Sequence, residues 1–66
     1  MRINSAKVEL ALAKECILMK ELCQRAEITP ISLKRILSGA VNPRPATVGK
    51  IAKALNVNVQ EIIMEE

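Results

Sequence analysis

The stretch that decides the fold is Met19–Gly39, which reads MKELCQRAEITPISLKRILSG. Thr29 is a good helix N-cap, and Pro30 after it suits the first helical position, where its missing N–H costs nothing. Gly39 has the freedom that a left-handed C-cap needs. These signals predict a helix from Pro30 to Leu37, preceded by a second helix-forming segment over 19–26.

The segment before this stretch also favours a helix. Either Asn4 or Ser5 can cap it, and apolar residues at helical spacing continue from Ala6 to about Cys16. No Gly, Pro or good N-cap separates Glu15 from Leu22, so propensity also permits one unbroken helix over residues 5–26.

The segment after Gly39 predicts a loop over residues 38–44 and then a further helix. Pro45 can open this helix, which continues from Ala46 to Leu55, and Asn56 can end it because asparagine tolerates left-handed geometry.

A last short helix is predicted from Val59 to about Met64. Asn58 and Glu61 have the spacing of a capping box, in which each side chain bonds the other residue's backbone N–H. No segment alternates as a strand does, so we expect an all-α fold, a compact bundle of five short helices over residues 1–66. Its predicted core consists of Val8, Leu12, Leu22, Ala26, Ile28, Leu33, Ile36, Leu37, Val48, Ile51, Leu55, Val57 and Ile62.

Composition limits the functions that this chain can have. Its 66 residues suffice for one domain, and we expect them to form a complete chain. The sequence has no histidine and only two cysteines, Cys16 and Cys23, too few for a disulfide scaffold or a zinc site. Without a phosphate-binding glycine loop or an activated nucleophile, we expect no enzyme, no metal, no cofactor and no small-molecule substrate. The N-terminus lacks a signal-peptide pattern and no apolar run is long enough for a membrane span, which predicts a cytoplasmic protein.

Charge is unevenly distributed along the chain. The segment Ile28–Gln60 contains five basic and no acidic residues, whereas the other segments together sum to −2. A positive sector of this kind is typical of a phosphate-binding surface, although a solvated helix face can have the same composition.

The helix after Thr29 also has a distinctive outward face. At 100° per residue, Leu33, Ile36 and Leu37 point to the core. The opposite arc consists of Ile31, Lys34, Arg35 and Ser38. Arginine matches the O6 and N7 acceptors of guanine and an aliphatic tip matches a thymine methyl, so this face suits the major groove of duplex DNA.

Two stretches of the chain resemble the Xre family, the helix-turn-helix proteins of the phage repressor and Cro type. They are Met19–Gly39 and Pro43–Ile63, the second of which reads PRPATVGKIAKALNVNVQEII. The resemblance implies a lambda-repressor-like DNA-binding domain. It also implies a first motif helix over 19–26, a turn over 27–29, a second turn around 16–18, and a recognition helix over 30–37.

The resemblance also implies residue roles. Base edges would be contacted by Pro30, Ile31, Lys34 and Arg35, and phosphates by Ser32, Ser38 and the loop that follows. The sequence itself adds Arg44 as a contact to a phosphate or to the minor groove, because an arginine at the N-cap of a helix is opposed by the helix dipole and accepts no capping hydrogen bond. An ordinary exposed loop arginine is the alternative at that position.

Three departures from the family pattern are visible. Met19 stands where members commonly have a phosphate-binding glutamine, and Glu27 stands where a turn glycine is common. Leu12 and Leu37 stand where many members have a paired arginine and glutamate. Since packed aliphatics often replace a buried ion pair without loss, we expect these two leucines to touch.

The sequence as a whole predicts a sequence-specific regulator of transcription of the Xre type that binds double-stranded DNA, and it leaves activation or repression open. A homodimer is possible, because one short reading helix binds weakly and the family usually doubles its contacts. The alternative is a protein-interaction module, antitoxin-like or accessory, built on the same fold.

Overall fold

A computed structural model describes residues 1–64 and shows four α-helices followed by one turn of 3₁₀ helix. The elements are α1 (Ser5–Glu15), α2 (Met19–Ala26), α3 (Pro30–Ser38), α4 (Pro45–Ala54) and the 3₁₀ turn (Val59–Glu61). The predicted all-α fold is confirmed. The fifth helix is shorter than predicted, ending at Glu61 and not near Met64, because the chain after it becomes extended and pairs with the N-terminus.

Helices α1 and α3 begin where the capping signals indicated. The Asn4 side chain accepts hydrogen bonds from the backbone N–H groups of Ala6 (3.0 Å) and Lys7 (3.3 Å). The Thr29 hydroxyl accepts one from the N–H of Ser32 at 3.1 Å. Each cap satisfies donors that the first helical turn leaves without an intrahelical partner.

Each of the four α-helices is followed within two residues by a residue with positive φ: Cys16, Glu27, Gly39 and Asn56. At Cys16 the N–H of Ile17 bonds the carbonyl of Leu12 at 3.2 Å, which closes a Schellman motif. The boundary around residues 16–18 is therefore confirmed, and the alternative of one helix over residues 5–26 is wrong. Propensity alone could not predict this boundary, because a cysteine does not normally signal left-handed backbone geometry.

The two ends of the described chain pair with each other. Ile3 and Ile63 form an isolated antiparallel bridge, in which Asn4 N donates to Ile62 O at 2.8 Å and Met64 N donates to Arg2 O at 2.9 Å. The sequence analysis did not predict this pairing, since it joins residues far apart in sequence without an alternating strand pattern.

One hydrophobic cluster fills the centre of the molecule. The predicted core residues are buried in it, except that Ile28, Leu37 and Val57 are half-buried and pack against its edge. Ile3, Ala11, Cys23 and Ala52 are buried as well, although they were not predicted. Three of these are small side chains, whose size suits close helix packing such as that of α2 against α4. No helix within residues 1–64 has the length and apolar character needed to cross a bilayer.

Candidate nucleic-acid interface

Helix α3 presents an exposed face on the side opposite the core. Leu33 and Ile36 anchor the helix in the hydrophobic cluster, where they are 1% and 6% exposed. The Ile31 side chain is 68% exposed near the start of the helix. Pro30, Lys34 and Arg35 are also exposed, so the four residues predicted to contact bases are accessible to a ligand.

A depression of about 580 Å³ lies along one side of α3, and we call it the polar flank. Ser32 and Arg35 line it from α3, and Arg44 lines it from the residue before α4. Asn42 of the intervening loop and Thr47 of the first turn of α4 also line it, as do Glu27 and Thr29 before α3. The structure thus brings together three of the predicted site residues and adds Asn42 and Thr47, which the sequence analysis missed.

A second depression lies between α2 and α3, and we call it the apolar groove. Pro30, Lys34 and Ser38 line it from α3, and Met19 and Cys23 line it from α2. Consequently Lys34 and Arg35, which are adjacent in sequence and both exposed, line different depressions. A helical wheel could not separate them, because it shows the outward arc but not the neighbouring elements that flank it.

The hydroxyl groups of the two predicted phosphate-binding serines differ in their partners. The Thr29 hydroxyl donates to Ser32 Oγ at 2.9 Å, which leaves the Ser32 proton available to a ligand. The Ser38 hydroxyl donates to the Arg35 carbonyl at 3.0 Å within its own helix. Since a phosphate oxygen needs a donor, Ser32 is better prepared than Ser38 to bind one.

Arg44 occupies the N-cap of α4, as predicted, with extended backbone angles and no side-chain cap hydrogen bond. Pro45 follows at the first helical position. The arginine side chain is exposed and therefore can leave the helix end and reach across the polar flank. A guanidinium group has no acceptor, so it cannot satisfy the N–H groups of α4 itself.

The cations of this surface have no ion-pair partner among residues 1–64. Within this range Arg25 and Glu21, an i, i+4 pair on α2, form a salt bridge. Lys34, Arg35 and Arg44 make no such contact with another described residue. Glu27 is the acidic residue that lines the polar flank, so it is the carboxylate that would oppose an approaching phosphate there.

Comparison with known proteins places these elements in a family. A family model described as Helix-turn-helix matches residues 17–62. The match spans α2, α3, α4 and the 3₁₀ turn, which is more than half of the chain, and it includes both flanks of α3. No curated protein and no solved structure matches the chain significantly.

Proposed function

Since this chain belongs to the helix-turn-helix family of Xre and lambda repressor-like DNA-binding domains, we propose that it is a sequence-specific regulator of transcription. The observation that carries this proposal is the exposed, cationic face of α3, anchored by Leu33 and Ile36 and flanked by the polar depression at Arg44. A short, firmly packed helix with such a face fits the major groove of duplex DNA.

In this proposal the exposed residues of α3 divide the tasks of reading and holding DNA. Arg35 reads a guanine, because its planar fork pairs with O6 and N7 together. Ile31, the most exposed apolar residue of α3, contacts a thymine methyl. Pro30 and the alkyl chain of Lys34 complete the base-facing surface on the side of the apolar groove, and the Lys34 ammonium group contacts a phosphate.

Phosphate contacts hold the helix in register. Arg44 supplies a cation beside the groove, and Ser32 supplies a hydroxyl donor that Thr29 leaves available. Ser38 remains a predicted contact of lower strength because its hydroxyl already bonds the Arg35 carbonyl. Contacts of this kind position the protein without selecting a sequence.

A single copy would bind weakly through one nine-residue helix, so we propose that two copies bind a near-palindromic site. We further propose that the protein represses transcription, acts in the cytoplasm at the nucleoid, and is not an enzyme. The residues of the α3 surface supply cations and hydroxyl groups for binding and no nucleophile–base pair for catalysis.

The second candidate function is a protein-interaction module. It is favoured by two leucines that lie outside the α3 surface and are strongly exposed, Leu10 at 71% and Leu18 at 76%. Large exposed apolar side chains are typical of protein contacts when they cluster. Salt dependence separates the candidates, because a hydrophobic contact lacks the counterion release of DNA binding.

A selection from randomised duplex oligonucleotides tests the proposal. We expect enrichment of one short motif, with specific affinity about 10³-fold or more above that for unrelated duplexes. An Arg35→Ala variant should lose part of that motif. Enrichment of no motif by the parent protein would contradict sequence-specific regulation and favour the interaction module.

A further inference from the structure

The apolar lining of the groove between α2 and α3 exceeds what DNA binding requires, although Pro30, Lys34 and Ser38 on its α3 side are proposed DNA contacts. It has a volume of about 510 Å³, and its walls include Met19, Cys23, Pro30 and Leu37. These four apolar side chains offer nothing to phosphate oxygens, because burying a charged group against apolar side chains costs free energy. The groove nevertheless lies directly beside the reading face, and Lys34 belongs to both.

Charge limits what can occupy the groove. Two lysines line it, Lys20 on α2 and Lys34 on α3, and no acidic residue does. Neither lysine forms an ion pair with a residue in the range 1–64. Apolar walls with a cation on each side are complementary to a ligand with a large apolar side chain flanked by carboxylates.

We propose that the apolar groove is a docking site for an acidic, amphipathic segment of a partner protein, and that its binding displaces DNA. Leucine or methionine side chains of the segment would enter the groove between Met19 and Leu37. The carboxylates beside them would pair with Lys20 and Lys34. This is the helix-in-groove mode of recognition, in which apolar anchors at helical spacing fill a hydrophobic cleft.

The exposed methionine of the groove supports an adaptable apolar occupant. Met19 is 37% exposed, and methionine packs against varied shapes because its side chain is flexible and polarisable. Competition with DNA follows from the shared residues: Lys34 and Pro30 cannot face base edges while a peptide covers them. The inference rests on the proposed function in this respect, since displacement requires that α3 binds DNA.

The test uses the whole chain and an acetylated, amidated peptide, EELLEELLEE, followed by ¹⁵N NMR and by fluorescence anisotropy. The control peptide is KKLLKKLLKK, which has the same apolar spacing and the opposite charge. We expect the acidic peptide to shift the amide resonances of Met19, Cys23 and Leu37 at up to about millimolar concentration, and the basic peptide not to do so. The acidic peptide should also release duplex DNA that is bound to the protein.

Two variants separate the groove from the DNA-reading residue. Met19→Gln removes an apolar wall and should weaken peptide binding at least about fivefold without weakening DNA binding. Arg35→Ala lies on the polar flank, so it should weaken DNA binding and leave peptide affinity unchanged. Melting curves of both variants check that each is folded.

The remaining outcomes contradict the inference. Absence of shifts, binding without release of DNA, or equal binding of the basic peptide would each overturn it. Concentration-dependent shifts at the groove without peptide would assign it to a second copy of this chain instead. Failure of the proposed function is seen separately, as absence of DNA binding in the arm that contains no peptide.

Discussion

Arg35 in α3 and Arg44 before α4 line the same depression, although they belong to different elements of the chain. Their exposed guanidinium groups have no ion-pair partner among residues 1–64. Because α3 is anchored by buried Leu33 and Ile36, Arg35 is held at a defined place beside the loop that carries Arg44. Together the two arginines give one flank of the reading helix a planar guanidinium group that can bind a base and a second cation that can bind the DNA backbone.

Replacing Arg35 by alanine should weaken binding to the preferred duplex by about 1–3 kcal/mol and relax the choice of one base pair. Anisotropy titrations against the selected site and its single-base variants measure both effects. Lys53→Ala is a matched control, since Lys53 is exposed and lines a depression away from α3. Equal losses in the two variants would show that Arg35 acts as bulk charge.

Replacing Lys34 by alanine should weaken all duplex sequences alike, because its ammonium group acts as a point charge toward a phosphate. The salt slope, log K against log salt concentration, should then become shallower by about one unit. A loss confined to one base pair would instead assign Lys34 to base reading. Lys34 is exposed on the apolar-groove side of α3, away from the flank that Arg35 lines.

Replacing Arg44 by serine should change stability and binding in opposite directions. Serine can cap α4, where Arg44 has no capping hydrogen bond, so the free energy of unfolding should rise by about 1 kcal/mol. DNA binding should weaken for all sequences, and the slope of log K against log salt concentration should become shallower by about one unit. Lys50→Ser removes the same charge within α4 and should lower stability slightly, because serine is the poorer helix former. A less stable Arg44→Ser variant would contradict the N-cap assignment.

The sequence was most informative where a local signal exists. Thr29 and Pro30 predicted the start of α3, and Gly39 predicted its end. The left-handed residue at Cys16 had no such signal, and the boundary there followed from family resemblance alone. The bridge between Ile3 and Ile63 depends on tertiary contacts that periodicity does not record.

The candidate site was predicted as a surface but not in its detail. Helical spacing correctly predicted that Lys34 and Arg35 are exposed. Only the positions of α2 and of the loop before α4 show that the two residues line different depressions. Asn42 and Thr47 were missed because a polar residue in a loop or first helical turn is ordinary by itself.

Glu27 has a φ of 57°, a conformation that favours glycine. Glu27→Gly should therefore raise the free energy of unfolding by about 0.5–1 kcal/mol, whereas Glu9→Gly within α1 should lower it by about 1 kcal/mol. Chemical denaturation measures both changes. A destabilised Glu27→Gly variant would show that the glutamate makes an unrecognised favourable contact.

The same glutamate lines the polar flank, so Glu27→Gln should tighten DNA binding at low salt by removing a repulsive charge. The gain should shrink as salt rises, because screening weakens the interaction of exposed charges. Stability should change little, since the backbone strain remains. Unchanged affinity at low salt would show that DNA does not approach this flank.

The contact expected between Leu12 and Leu37 stays a prediction. Leu12 is 8% exposed, and Leu37 is half-buried against the same cluster. Leu37→Glu should cost about 1–3 kcal/mol by placing a carboxylate at this edge, and adding Leu12→Arg should recover part of the loss. If Leu37→Glu melts within about two degrees of the parent, the two leucines are not packed together.

The central claim is that this chain binds duplex DNA through the cationic surface of α3, and a salt titration of that binding tests it most directly. With Lys34 and Arg44 each neutralising a phosphate, the slope of log K against log salt concentration should be about −2 or steeper per copy. The Lys34→Ala/Arg44→Ala double variant should lose most of that slope. A parent affinity that does not change with salt, or a double variant that binds as the parent does, would contradict the account.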